Sequence, residues 1–524
     1  MSTLFRPMQV LPALALCLLA TEASAVSFRV QCPDQTTLHP LVNSSGQSGQ
    51  PDSTLPNPAI KCQQISGGDG FATMADGNQI YLFAFGPLSG LADIVRGLPG
   101  TEPASVFNTV ADPNNNPFTV GAPIPATAFN GAVGLTPDPE SNPPGQLDGH
   151  VDPRPIMDVG VMNGSMPAPT FAIDEDDEFF LTLTNVGMIM RPDLFEQHTV
   201  HYHGYPNASS FYDGVPDASV AINIGGSFTY YYLAPDAGTY MWHCHITPPE
   251  HLQMGMVGQV YVRPRQNRVP AGGDLYTALQ AQETDPRTRC NVADDILCSN
   301  PLPAAGDTGV MHVNNKSGTP TLYTYNDGDG STAYDVEYPL QIHGFDPNFH
   351  FVGMTFNPEP FSDMKDKYFL LNGRSYPDTI NDAAIHTQAS DGTEHYSQPL
   401  RTHIYIPAGG KALLRFSDLD AQEEQTIASL GIPMHVVGMN AKLLRDQAGN
   451  NMDYFTNSIT LGGGESYDVL LDASDTTKYH PGQIFYLYSP NLDHLSNDNE
   501  NFGGLMTEVE ICTSVDPATK TCTI

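Results

Sequence analysis

Basic residues are scarce in this chain: 22 lysines and arginines stand against 58 aspartates and glutamates, for a formal net charge of −36. A surface this acidic is repelled by a phosphate backbone, which excludes nucleic acid as a partner. It is read instead as a solvated surface, with a weak pull on small cations. Long apolar runs are missing after residue 25, so no later segment reaches the roughly 20 residues that a membrane-spanning helix needs. Long apolar stretches with helical spacing are few as well. Gly 47 and Pro 45 are plentiful, and together these traits predict a turn-rich, all-β chain. With 524 residues, 40% hydrophobic and 15% charged, there is core enough for two to four domains.

The one long apolar run, Val10–Ala20, follows Arg6 and precedes Ala23-Ser24-Ala25, an A-x-A cleavage site. Residues 1–25 are therefore expected to be a secretory signal peptide, and the mature protein to be exported, periplasmic or extracellular. Cysteine is sparse. Of eight, setting aside Cys17 in the leader and Cys244 as a metal ligand leaves six, an even number suited to disulfides in an oxidising compartment. Nearest-neighbour pairing joins Cys32 with Cys62, Cys290 with Cys298 and Cys512 with Cys522; sequence leaves the connectivity open.

Histidine is what the chain concentrates. HTVHYHG at His198–Gly204 and YMWHCHITPPEHLQMGM at Tyr240–Met256 hold six of the 17 histidines. Side chains alternate between the faces of a strand. In HCH, His243 and His245 must face one way and Cys244 the other; His201 and His203 share a face, and His198 takes the opposite one. Two ligand sets follow. Cys244, His198, His251 and Met256 make a thiolate, two imidazoles and a weak thioether, a blue-copper set whose soft ligands suit cycling between Cu(I) and Cu(II). His201, His203, His243 and His245 converge on the other side. Cys244 is bonded through the chain to both of its histidine neighbours, so His243, Cys244 and His245 are the residues expected to carry an electron from the first set to the second.

The pattern HxxHxHG followed by HCHx5Hx4M resembles the type 1 and trinuclear copper motifs of multicopper oxidases. Five residues, ITPPE, separate the last two histidines where most three-domain laccases have three, so the resemblance is closer to two-domain, bacterial forms. Copper nitrite reductases share the Cys-His-Met set, but they have aspartate at the position of His201 and lack a second histidine after the cysteine. The resemblance implies cupredoxin-like Greek-key domains, copper as cofactor, and a reductant and O2 as small partners.

The expected organisation is a signal peptide at 1–25, an irregular lead-in at 26–65 and a copper-binding cupredoxin domain at 66–265. A connector follows at 266–334, then a second cupredoxin-like domain at 335–513 and a tail at 514–524. Residues 98–156 are rich in Pro, Asn and Gly and are read as long loops. MDVGVMNGSMPAPTFAIDEDDEFFLTLTNVG at Met157–Gly187 reads as strand, turn, strand. NDGDGS lacks the spacing of an EF-hand calcium loop and is read as a turn. The second domain reads as a copy of the first: YFLLNGRSYPDT parallels VGVMNGSMPAPT, GIPMHVVG parallels HTVHYHG, and GQIFYLYSP parallels GTYMWHCHI. In that alignment His198 becomes Ile432, His203 becomes Val437, HCH becomes Leu487-Tyr488-Ser489, and His435 stands at the position of His201.

The resemblance implies eight histidines around a trinuclear cluster, and four have the right pattern here. The missing ligands would come from a neighbouring subunit or from His343, His350, His435 or His494. Lone histidines such as His39, His150, His312, His386, His395, His403 and His480 are read as structural. The leading expectation is an exported copper oxidase. The alternatives are a non-catalytic blue-copper electron carrier and a nitrite-reductase-like enzyme with one non-blue copper between subunits. The reducing substrate stays open among phenols, Fe(II), Mn(II) and Cu(I).

Overall fold

Phe179, Leu181 and Leu183 recur every second residue, which turns three apolar side chains to one face of a strand, where all three are buried. Each such burial is worth roughly 1.5–3 kcal/mol. Elements of this kind dominate the computed structural model, which describes residues 30–109, 129–135, 153–205, 209–234, 236–282, 302–303, 322–354, 361–388, 390, 392, 394–498 and 500–524. The expected signal peptide, Cys290 and Cys298 lie outside these residues. The other two expected disulfides, Cys32–Cys62 and Cys512–Cys522, are formed.

The chain is mostly β, in several sheets. Strands β1 (Ile60–Thr73), β2 (Gln79–Pro87), β3 (Phe171–Asp174) and β4 (Glu178–Gly187) are followed by β5 (His201–His203), β6 (Ser227–Leu233), β7 (Gly238–His243) and β8 (Val257–Arg263). They form two sheets, β2-β1-β4-β6 and β3-β8-β7-β5. A core of Phe171, Phe179, Leu181, Tyr202 and Trp242 lies between them. Later in the chain come β9 (Val336–Phe345), β10 (Tyr368–Leu371), β11 (Ile404–Pro407) and β12 (Lys411–Asp418). After these run β13 (Gln425–Leu430), β14 (Met434–Met439), β15 (Ser466–Asp472), β16 (Ile484–Tyr488) and β17 (Met506–Cys512). Here the order β10-β9-β12-β15 continues into β14, and the facing sheet runs β11-β17-β16-β13. A second core of Leu340, Leu414, Val469, Leu487 and Val509 fills it.

The two halves thus repeat one topology, down to the parallel pairs β1 with β4 and β9 with β12, and β3 with β8 and β11 with β17. One expected correspondence fails. GIPMHVVG lies in β14, which pairs with β15 in the other sheet, whereas the place of β5 beside β7 is taken by β13 beside β16. The register therefore sets His201 opposite His243 as it sets Ala428 opposite Tyr488, and His203, opposite Met241, corresponds to Leu430, opposite Tyr486. The Cys244 amide donates to the Met256 carbonyl as the Ser489 amide does to that of Leu505. Cys244 thus corresponds to Ser489, one residue later than the sequence alignment has it.

Two local expectations are also corrected. β1 begins at Ile60, inside the stretch read as irregular, and its Gly67 is needed because a Cβ there would come 2.7 Å from the His198 ring. Helix α1 (Pro153–Gly160), not a strand, leads into the segment read as strand, turn, strand. NDGDGS is a turn, with the Asp327 carboxylate accepting from the amides of Gly330 and Thr332 at 2.8 Å each.

The halves meet across a buried polar seam. Arg263 at the end of β8 donates to Glu337 on β9 (2.6 Å), which also accepts from Arg415 on β12 (3.0 Å). Thr239 on β7 donates to Asp468 on β15 (2.6 Å). With Arg263 and Arg415 beside it, the Glu337 carboxyl stays well below the usual range even though burial opposes this.

Candidate metal centre

Tyr202 and Trp242 anchor β5 and β7 in the core, and the strand alternation does the rest. Tyr202 is buried against Tyr232, Trp242 against Phe171, and their neighbours His201, His203 and His243 turn to the opposite face. Two residues after Trp242, Cys244 returns to the core side. The segment to Met256 is shaped by a short helix, α2 (Pro248–Gln253). Its first positions are prolines with φ already helical, and Thr247 precedes it in a left-handed conformation. Gly255, at φ 108°, turns the chain back toward β8. The Met256 amide donates to the His251 carbonyl (2.9 Å).

The first group is His198, Cys244 and His251, whose donor atoms lie within 4.8 Å of one another. All three are fully buried, as is Met256 beside them in sequence and in the same core. His251 Nδ1 sits 3.2 Å from the Cys244 sulfur, and the Thr199 amide points at that sulfur from 3.5 Å. Both His198 nitrogens and His251 Nε2 lack a hydrogen-bond partner. Buried imidazole nitrogens left this way are costly unless something coordinates them. Burial alone would raise the Cys244 thiol, but the charge of His251, its Nδ1 contact with the sulfur and the nearby His198 imidazole hold it well below the usual thiol range. This shift favours the thiolate, the form that binds metal. Burial likewise opposes charge on His251, yet Cys244 and Glu196 outweigh it and push that imidazole up to about 9 in the metal-free protein.

The second group is His201, His203 and His243, again within 4.8 Å. The His245 ring lies 5.1 Å from His201 and 5.8 Å from His243, beside the group. His201 Nδ1 donates to the Asp213 carbonyl (2.7 Å) and His243 Nδ1 to that of Cys244 (2.8 Å), which makes the Nε2 of each ring the acceptor; His243 Nε2 lies 3.5 Å from His203 Nδ1. Burial, with neighbouring histidines adding to it, lowers His203 and brings His243 down to about 3, so these rings are neutral and able to ligate.

Histidines from the second half do not join either group among the described residues. His435 pairs with Asp453 (3.0 Å) and His494 with Glu423 (2.9 Å). His350 lies between the carbonyls of Tyr81 and Gln253, and His343 is buried elsewhere. What the second half presents to His203 is Gly464, at φ 101°, where a Cβ would fall 2.7 Å from the ring. Of the lone histidines, His39 pairs with Glu178 and His386 with Glu394, while His403 lies near Asp382. His150 and His312 are outside the described residues. Sequence reasoning missed Glu196, whose carboxylate lies 3.7 Å from His251 Nε2, and Gly67 beneath His198. Glu196 stands two residues before the HxxHxHG motif, which was the available signal.

Two imidazoles and a thiolate buried together, next to a methionine, form the donor set of a copper protein. Residues 149–267, which contain the whole site, match the sequence profile of the family described as "Multicopper oxidase". Laccase abr2 of Aspergillus fumigatus is 34% identical over 109 residues, 20% of this chain and 17% of that protein. Multicopper oxidase MCE of Talaromyces pinophilus is 33% identical over 112 residues, 21% of this chain and 17% of its own. The chain therefore spans well under a quarter of the length of these curated relatives. Solved structures similar to it include the blue copper oxidase from Nitrosomonas europaea, at 17% identity and a TM-score of 0.47, covering 86% of this chain and 85% of that one. The multicopper oxidase mgLAC has 15% identity and a TM-score of 0.48, covering 88% and 93%. Copper is the cofactor.

Proposed function

We propose that this chain is an exported copper oxidase. His198, Cys244, His251 and Met256 hold a type 1 copper, and His201, His203, His243 and His245 supply one side of a cluster that reduces O2. One observation carries the reading: Cys244 belongs to the first donor group while its bonded neighbour His243 belongs to the second. When bound, copper supplies one-electron cycling at the first set and the reduction of O2 to water at the second. The chain's own residues set the geometry. Asp213 orients His201, the Cys244 carbonyl orients His243, and the Thr199 amide stabilises charge on the sulfur. A small-molecule or metal-ion reductant donates at the first set, and a neighbouring subunit supplies the remaining histidines.

The proposed organisation is a signal peptide at 1–25 and two cupredoxin-like domains, 66–265 and 335–513, joined by the connector 266–334, as in bacterial two-domain forms. Two disulfides support an oxidising, periplasmic or extracellular destination. A second reading, electron transfer without O2 chemistry, is favoured by Gly464, which stands beside His203 where a further ligand would be needed.

Copper content, visible spectrum and O2 uptake, measured on one copper-loaded sample, test both. About four coppers per chain with O2 consumed by a generic reductant supports the oxidase. One copper with a blue band and no O2 uptake replaces it with the electron carrier, and nitrite-dependent turnover would point to the reductase-like alternative.

A further inference from the structure

Helix α2 is six residues long, far too short to hold its shape unaided. Its position depends on what grips it, and the grip comes from the other half of the chain. Gln253, its last residue, is fully buried. Its Nε2 donates to Asp366 Oδ1 (2.9 Å), and its Oε1 accepts from the Asp346 amide (3.0 Å). The Gln253 carbonyl lies 2.9 Å from His350 Nε2. These partners are themselves fixed. The Asp346 carboxylate accepts from the amides of Asn348 (2.8 Å), Phe349 (3.2 Å) and Lys365 (2.8 Å), which locks the start of helix α3 (Pro347–Met354). The other Asp366 oxygen faces Asp420 across Gly344, where an added Cβ would fall 2.3 Å from Asp366 and 2.7 Å from Asp420. Between these two carboxyls there is no room for a side chain at position 344.

His251 sits two residues before Gln253, with its Nδ1 3.2 Å from the Cys244 sulfur and its carbonyl bonded to the Met256 amide. Within the first half, the loop is tied back at Cys244 and Met256. The tie at the end of α2 is made by residues 346, 350 and 366 of the second half.

We propose that Gln253 is a positioning residue for the type 1 copper, through which Asp366 and Asp346 of the half without donors fix the end of α2 and hence the His251 imidazole. The proposal rests on His198, Cys244, His251 and Met256 being the copper ligands. It gives the second half a role in the chemistry without a ligand of its own. Outer residues that orient metal ligands are typically worth 10–100-fold in metal affinity.

The test uses the full chain with Gln253→Met, of similar volume, Asp366→Ala and Asp366→Asn. Burial and the neighbouring Asp420 push the Asp366 carboxyl well above the usual carboxylate range, and asparagine copies its shape and still accepts from Gln253. In metal-free protein, amide exchange over 248–256 should rise at least tenfold in Q253M and D366A, with 178–187 unchanged. In copper-loaded protein, the same two variants should lose about 10–100-fold in copper affinity and shift in reduction potential. D366N should stay within twofold of the parent in both. Unchanged exchange over 248–256 refutes the clamp. Faster exchange with affinity and potential unaltered makes Gln253 a packing residue only and overturns the positioning role. A parent protein that takes up no copper overturns the ligand reading beneath it, and the exchange data still decide whether the clamp exists.

Discussion

The two halves place different residues in one geometric site. Where the first half has His198, Cys244 and Met256, the second has Gln425, Ser489 and Leu505, at matching positions in or beside corresponding strands. The surroundings are the same. Glu196 lies 3.7 Å from His251, and Glu423, also two residues before its strand position, lies 2.9 Å from His494. His251 packs edge-on to Phe83 of β2, and His494 stacks on Phe369 of β10. The second half builds the same sheets over an apolar core, so the fold does not require the donors. They are an addition to the scaffold, and in metal-free protein they leave unpartnered buried nitrogens. Gln425 donates through Nε2 to Asp420 at 2.7 Å, although its own Oε1 is unpartnered.

The sharpest way to erase the difference is Cys244→Ser, which gives the first half the residue of the second. The blue absorption should vanish completely, and a visible spectrum that kept it would refute the ligand assignment. Next in size is the seam between the halves. Glu337→Ala leaves Arg263 and Arg415 without their shared partner, and breaking a buried pair this way typically costs 3–5 kcal/mol. Urea titration of metal-free protein should show that loss; a change under about 1 kcal/mol would mean that the halves hold without the pair.

A third contrast is the turn ahead of the long central strand, Asp174-Glu175-Asp176-Asp177 in the first half and Pro407-Ala408-Gly409-Gly410 in the second. Burial pushes Asp177 up to about 8. A carboxyl raised in the fold contributes its full stability below its unfolded value near 4 and loses it as pH rises toward 8. Stability should therefore fall between these limits by at most a few kcal/mol, and Asp177→Asn should flatten that slope. An unaltered slope in urea melts at pH 5 and pH 8 would locate the effect elsewhere. The smallest expected change is Met256→Leu, copying Leu505. The colour should remain, and the potential should rise on the order of 60 mV, a tenfold shift for a one-electron couple, because a weak donor to Cu(II) is gone. Redox titration reads it directly, and a fall in potential would deny Met256 its axial place.

Strand parity made both donor groups legible, because two residues per period leave little freedom: His201 with His203, and Cys244 against His243, fall where alternation puts them. The two disulfides among the described residues join nearest neighbours, a connectivity that the sequence had left open. The counterpart site was misaligned for a physical reason. Gln425, Ser489 and Leu505 are ordinary core and strand residues, and twelve positions separate Cys244 from Met256 but sixteen separate Ser489 from Leu505. Without hydrogen-bond register, nothing marks which serine stands for the cysteine. The continuity of β1 was hidden by Gly67 and Gly68, which resemble a loop in sequence and are in fact room for His198 and for the backbone of Gly187.

The parallel pairing inside each half also sets an order of assembly. From the end of β2 to the start of β3 the chain runs 84 residues, from Pro87 to Phe171, whereas Leu371 to Ile404 spans 33. Closing the longer loop costs about 0.8 kcal/mol more entropy, and slower long-range pairing adds to the delay. The half that is synthesised first is thus expected to close second, docking its α2 against a partner already folded, and pulse-labelled exchange during refolding would show β9 and β12 protected before β1 and β4.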